Sequence, residues 1–191
     1  MSKKMYLFMS SIFCIAMVGF TACQQKEQPK LTPENYRSWN TMVENFLDYP
    51  IPGHESNSRM IYINKIGEDV QITEENGRVS YQYPEGTIIV KEIYSKLEPP
   101  QEKEQPINLT IMIKDSRHSH AHALSGWVWL VTTPETGEEH ILDYNVCADC
   151  HTNANEPHPY GDKNPNADFR DFVFFPPHPD LSNHETHEKK F

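Results

Sequence analysis

Apolar residues change their spacing along this chain. From residue 36 they recur at helical intervals, with Tyr36, Trp39, Met42, Val43, Phe46 and Leu47 on one stripe. That repeat of three and four predicts an amphipathic helix. Thr32 is placed to cap it, Pro33 suits its first position, and Tyr49-Pro50-Ile51-Pro52-Gly53 ends it. Beyond residue 58 the period shortens to two. Residues 59–66, 87–97, 107–115 and 126–133 are rich in β-branched and aromatic side chains, and each reads as a strand. In the third, Ile107, Leu109, Ile111 and Ile113 share a face; the second is entered through the turn Pro84-Glu85-Gly86. Successive strands joined by polar turns predict an antiparallel sheet. The expected class is mainly β (α+β): an antiparallel sheet with flanking helices, in a single domain over residues 32–180. The segment 99–106 is a charged, Pro-flanked loop. Residues 152–166, rich in Asn and Pro, also read as loop, and 181–191 is a polar tail.

The first 22 residues do not belong to this pattern. Lys3 and Lys4 precede an almost unbroken apolar run over 5–20, and Phe20-Thr21-Ala22 leads into Cys23. This is the layout of an export signal, and a cysteine at the cleavage point resembles a bacterial lipoprotein, in which Cys23 becomes the lipid-bearing first residue. An ordinary secretory signal is the plainer alternative. The run is shorter than the roughly 20 residues of a membrane-spanning helix. Residues 23–31 then form a tether. The expected location is exported and lipid-anchored, on the periplasmic or cell-surface side, with the outer membrane favoured in a cell that has one. Without Lys3 and Lys4 the 17 basic residues fall to 15 against 27 acidic, a net charge of −12. So acidic a chain argues against nucleic acid as a partner.

Candidate chemistry centres on Cys147-Ala148-Asp149-Cys150-His151. The C-x-x-C-H pattern suits attachment of a c-type haem: two thiols for thioether bonds to the vinyl groups, and an imidazole for the iron. One motif implies one haem. Zinc would want about four ligands, a redox dithiol normally follows the first strand of an α/β unit, and a disulfide across two residues is strained. Export supports the haem reading. Phe169, Phe172, Val173, Phe174 and Phe175 form an aromatic cluster suited to a porphyrin face or to plain core. His118, His120 and His122 alternate; they are either solvated loop histidines or a strand-borne metal site, and one is also a candidate distal group. Lys91 shares a strand face with Ile89 and Ile93. Either its amine snorkels to water, or it is buried with a lowered pKa and becomes a neutral nucleophile.

Four ordered pieces carry a family resemblance. Pro84 through Glu92 looks like the G-T-x-x-x-K-E strand of the cytochrome P-460 family. Tyr36-Arg37-Ser38-Trp39 resembles its Y-R-x-W segment. Lys114-Asp115-Ser116 with Gly126-Trp127 resembles its K-D-S strand and G-x-W. Cys147 to His151 with Asp171-Phe172-Val173-Phe174 resembles its haem motif and closing D-x-V-F. The resemblance implies a mostly β fold, usually a homodimer, and a five-coordinate haem c with an open distal side. It implies a covalent tie between Lys91 and a haem meso carbon, as in members that oxidise hydroxylamine or nitric oxide and pass electrons to a partner. Related β-type cytochromes c′ mainly bind nitric oxide or carbon monoxide. The chain departs from the oxidising members at Thr110, where they carry a distal carboxylate that accepts protons; Met112, next on that face, is apolar. An electron-transfer cytochrome is a third reading, with Met60 or Met112 as sixth ligand.

Overall fold

The computed structural model describes residues 30–176 except 124, 143, 144 and 162. The signal segment, Cys23 and the polar tail lie outside these residues. The two-residue alternation resolves into a six-stranded antiparallel sheet. Its strands are β1 (Asn40–Thr41), β2 (Arg59–Ile63), β5 (Ile88–Ile93), β6 (Asn108–Lys114), β7 (Trp127–Thr133) and β8 (Glu138–Ile141), hydrogen-bonded in that order. A separate hairpin joins β3 (Gln71–Glu75) to β4 (Arg78–Gln82). Its turn is Asn76-Gly77, both at positive φ (54° and 77°), the pairing that lets a two-residue loop follow the strand twist. Among the described residues, two short α-helices, α1 (Lys65–Glu68) and α2 (Asn145–Thr152), and two 3-10 turns complete the regular elements. The Pro84–Gly86 turn forms as expected, closed by Thr87 N–H donating to the Pro84 carbonyl (3.1 Å), with Gly86 at φ 88°.

Alternation gives the sheet two faces. One carries Ile61, Ile63, Ile89, Met112, Trp127 and Trp129; α2 packs on it through Ala148, and so do the hairpin's Tyr81 and the closing residues Phe172 and Val173. The other carries Val90, Leu109, Ile111 and Leu130, covered by Tyr36. Glu92 also points to this second face. It is 1% exposed and accepts from Arg37 Nε (2.6 Å) and from the hydroxyls of Tyr36 (2.7 Å), Tyr94 (2.8 Å) and Tyr62 (3.2 Å). A buried carboxylate is tolerable when its oxygens are filled in this way. Burial, reinforced by Glu92, pushes the Tyr62 phenol up to about 12.

The helix expected from Tyr36 to Leu47 does not form. Only a 3-10 turn, Tyr36–Ser38, is helical, and β1 then pairs with β2. Met42 N–H donates to the Ile61 carbonyl (2.9 Å), and Leu47 bridges to Arg59. The segment wraps the edge of the sheet, so its apolar positions divide between two cores. Tyr36 and Trp39 pack on one face, and Met42, Val43 and Leu47 on the other. A three-to-four repeat is satisfied here by a chain crossing an edge. The aromatic cluster is likewise divided: Phe172 and Val173 are buried, whereas Phe169 is 40% exposed and only bridges the hairpin at Ser80. Ile107, the first residue of the third expected strand, precedes β6 and is 46% exposed.

Candidate functional site

A cavity of about 500 Å³ opens on the first sheet face. Its floor is Ile61, Ile89, Met112 and Trp129; α2, the 47–54 loop and Val173 to Phe175 form its walls. The volume and apolar lining are those of a site for one organic ligand.

The C-x-x-C-H residues meet here because they lie on a helix. Cys147, Cys150 and His151 are spaced i, i+3 and i+4, hence on one face of α2, and all three line the cavity. Both cysteines are free thiols. His151 Nδ1 lies 2.7 Å from the Phe172 carbonyl. A carbonyl only accepts, so Nδ1 carries the hydrogen and Nε2 keeps its lone pair. Metal-binding histidines are commonly held by this kind of second bond. Burial, and then Lys91, push the imidazole down to about 4, so it is neutral at physiological pH. Phe174 meets its ring edge-on at 5.3 Å.

The carbonyl that orients His151 rests on an unusual piece of backbone. Asp171 and Phe172 are both at positive φ (49° and 69°), a conformation costing about 1–2 kcal/mol for each non-glycine residue. Buried contacts hold them there. Lys114 Nζ donates to Asp171 Oδ2 (2.7 Å) and Oδ1 (2.9 Å), Tyr83 N–H donates to Oδ2 (3.1 Å), and Trp127 Nε1 donates to the Asp171 carbonyl (2.9 Å). The K-D-S lysine and the D-x-V-F aspartate are thus two halves of one ion pair.

Lys91 faces the cavity, between Ile61 and Thr110 in the strand register. Its amine therefore lies against the cavity and does not snorkel. Burial, and then Arg59, lower its pKa to about 8. Nζ is 2.9 Å from Nε2 of His54. Burial followed by Lys91 and Arg59 lower His54 to about 3, so its neutral Nε2 accepts from the amine. Thr110 and Met112 also line the cavity. Met60 does not, which removes it as a ligand there.

His118 and His120 lie in the 115–126 connection with rings 5.6 Å apart, whereas His122 packs on Trp129 (5.9 Å) and Phe172 (6.1 Å). Among the described residues, no three His, Cys, Asp or Glu side chains converge as a metal site. His54 and Arg59 are the wall residues that sequence reasoning missed. Neither belongs to a motif; only the fold folds the 47–54 loop over the sheet.

The residues fit a haem. One wall offers two free thiols and a neutral, oriented imidazole. Two buried donors on residues of the lining, Arg59 Nε and Trp129 Nε1, have no partner among the described residues, which suits a bound group with acceptors. No curated protein matches the chain. The family model Cytochrome P460 matches residues 33–175, from the sheet-edge segment through α2 to Phe175. The chain belongs to the cytochrome P460 family and is a haem cytochrome by that membership.

Proposed function

We propose that this is an exported mono-haem c-type cytochrome acting on small nitrogen species, hydroxylamine or nitric oxide, in the cavity beside α2. Cys147 and Cys150 hold the haem through thioethers and His151 Nε2 binds the iron. Bound haem supplies an iron centre that accepts electrons and holds a small ligand. The observation carrying the reading is Lys91: an amine turned into an apolar cavity on the strand that the family resemblance identifies, beside the C-x-x-C-H helix. Its lowered pKa leaves an appreciable neutral fraction near pH 8, which suits the covalent tie to the ring implied by the resemblance. His54 Nε2 fixes the amine's direction. The mature protein is lipid-anchored through Cys23, works as a homodimer, and as an enzyme passes electrons to an external acceptor.

A second reading is binding of nitric oxide or carbon monoxide without turnover. Thr110 and Met112 favour it, because no Asp or Glu is found among the described cavity residues and a proton acceptor is wanted for oxidation. His54, held near 3, is a good hydrogen-bond acceptor but a weak base.

The ferrous absorption spectrum, recorded with and without hydroxylamine, tests both. The enzyme reading expects a Soret band displaced from that of ordinary haem c, and reoxidation on adding hydroxylamine. An ordinary, unreactive five-coordinate spectrum leaves the binding reading. A low-spin six-coordinate ferrous haem overturns both.

A further inference from the structure

Arg59 opens β2 and is 0% exposed. Nη2 donates to the Tyr49 carbonyl (2.7 Å) and Nη1 to that of His54 (3.2 Å), and the Tyr49 ring lies 5.4 Å from the guanidinium carbon. Its Nε has no partner among the described residues. Carbonyls satisfy hydrogen bonds but carry no net charge; the exposed Asp48 carboxylate attracts Arg59 from the surface, but no described carboxylate forms an ion pair with it. A guanidinium stays protonated in proteins even when burial lowers its pKa. A buried charge is unfavourable unless it is directly paired. Arg59 lines the same cavity as Lys91, and the described cavity residues include no Asp or Glu. A directly hydrogen-bonded counter-charge is therefore expected in the cavity's occupant.

We infer that Arg59 anchors an oxyanion in the cavity, a carboxylate or a carboxylate-shaped group. The planar fork of N–H donors matches two oxygens at that spacing, which an ammonium cannot do. Two sources share this chemistry. One is a carboxylate of the haem, and this arm rests on the proposed function; the other is a free oxyanion such as nitrite.

The test uses haem-loaded full-length protein and its Arg59→Gln variant, with two readouts. Resonance Raman scattering reports hydrogen bonding to the haem carboxylates through their bending band. Nitrite titration of the ferric protein reports free oxyanion binding. A haem carboxylate on Arg59 predicts a shifted band in the variant with nitrite Kd changed less than threefold. A free oxyanion predicts an unshifted band and nitrite Kd weakened tenfold or more. An unshifted band together with unchanged Kd overturns the inference. Should Arg59→Gln not fold, Arg59→Lys keeps the charge and loses the fork, and the same pair of null results against wild type overturns it. Wild-type protein that shows no haem spectrum sinks the proposed function instead, so the two failures are separable.

Discussion

Replacing Lys91 by methionine should stabilise the haem-free protein. The clean background is Cys147→Ser with Cys150→Ser, in which no haem reaches the amine. Lys91 ionises near 8 in the fold against 10.5 ordinarily, chiefly through burial. A shift of that size corresponds to about 3 kcal/mol. At pH 7 the amine is charged in both states, so the folded state carries that penalty in full. Methionine fills similar space without charge, but it gives up the contact with His54, worth about 1 kcal/mol. Lys91→Met is therefore expected to gain about 2 kcal/mol at pH 7. Between pH 8 and 10.5 the unfolded chain holds a proton that the folded amine has released, so wild-type stability rises with pH. The variant's advantage shrinks over that window and vanishes near its top. Urea unfolding at pH 7, 8.5 and 10 measures this as a difference between two proteins, which cancels the other groups titrating there. A variant less stable than its parent at pH 7, or a difference flat with pH, would refute the burial argument.

Two further outcomes are expected. Cys147→Ser with Cys150→Ser should leave protein without covalent haem, and an intact haem adduct in its mass spectrum would move the attachment site elsewhere. Asp171→Ala should cost about 3–5 kcal/mol, because it leaves the Lys114 ammonium, 14% exposed, buried without its partner; a loss below about 1 kcal/mol in urea unfolding would show that the pair does not hold the closing segment.

Strand positions with period two were legible because burial on one side of a sheet writes itself directly into sequence. Residues 88–93, 108–114 and 127–133 fell inside their expected runs. The 36–47 stripe misled for a physical reason: periodicity records which residues are buried, not the backbone that buries them. The hairpin around Asn76-Gly77 was missed although Val79, Tyr81 and Tyr83 alternate along and just beyond its second strand and the turn dipeptide was a further signal; its first strand, exposed throughout, offered only Ile72. The cavity wall was half legible. Cys147, Cys150, His151, Lys91 and Thr110 stood out through motif or resemblance, and all five line the cavity. His54 and Arg59 come from a loop and a strand end brought together only by the fold. Asp171 was visible as a motif letter, but its partnership with Lys114, 57 residues away, was not.

Lys91 and Glu92 are neighbours in sequence and point to opposite sides of the sheet. A slip of β5 by one residue would reverse the faces of both, turning the Glu92 carboxylate toward the apolar cavity side and the Lys91 ammonium toward the side that carries Tyr36 and Tyr62. The tyrosine–arginine cradle of Glu92 accepts only an anion, and so it discriminates between the two alignments by charge. It acts as a register key. A network that never touches the cavity thus decides which side chain enters it, and substitutions at Tyr36, Arg37 or Tyr94 would be felt in the cavity as a misalignment of the amine.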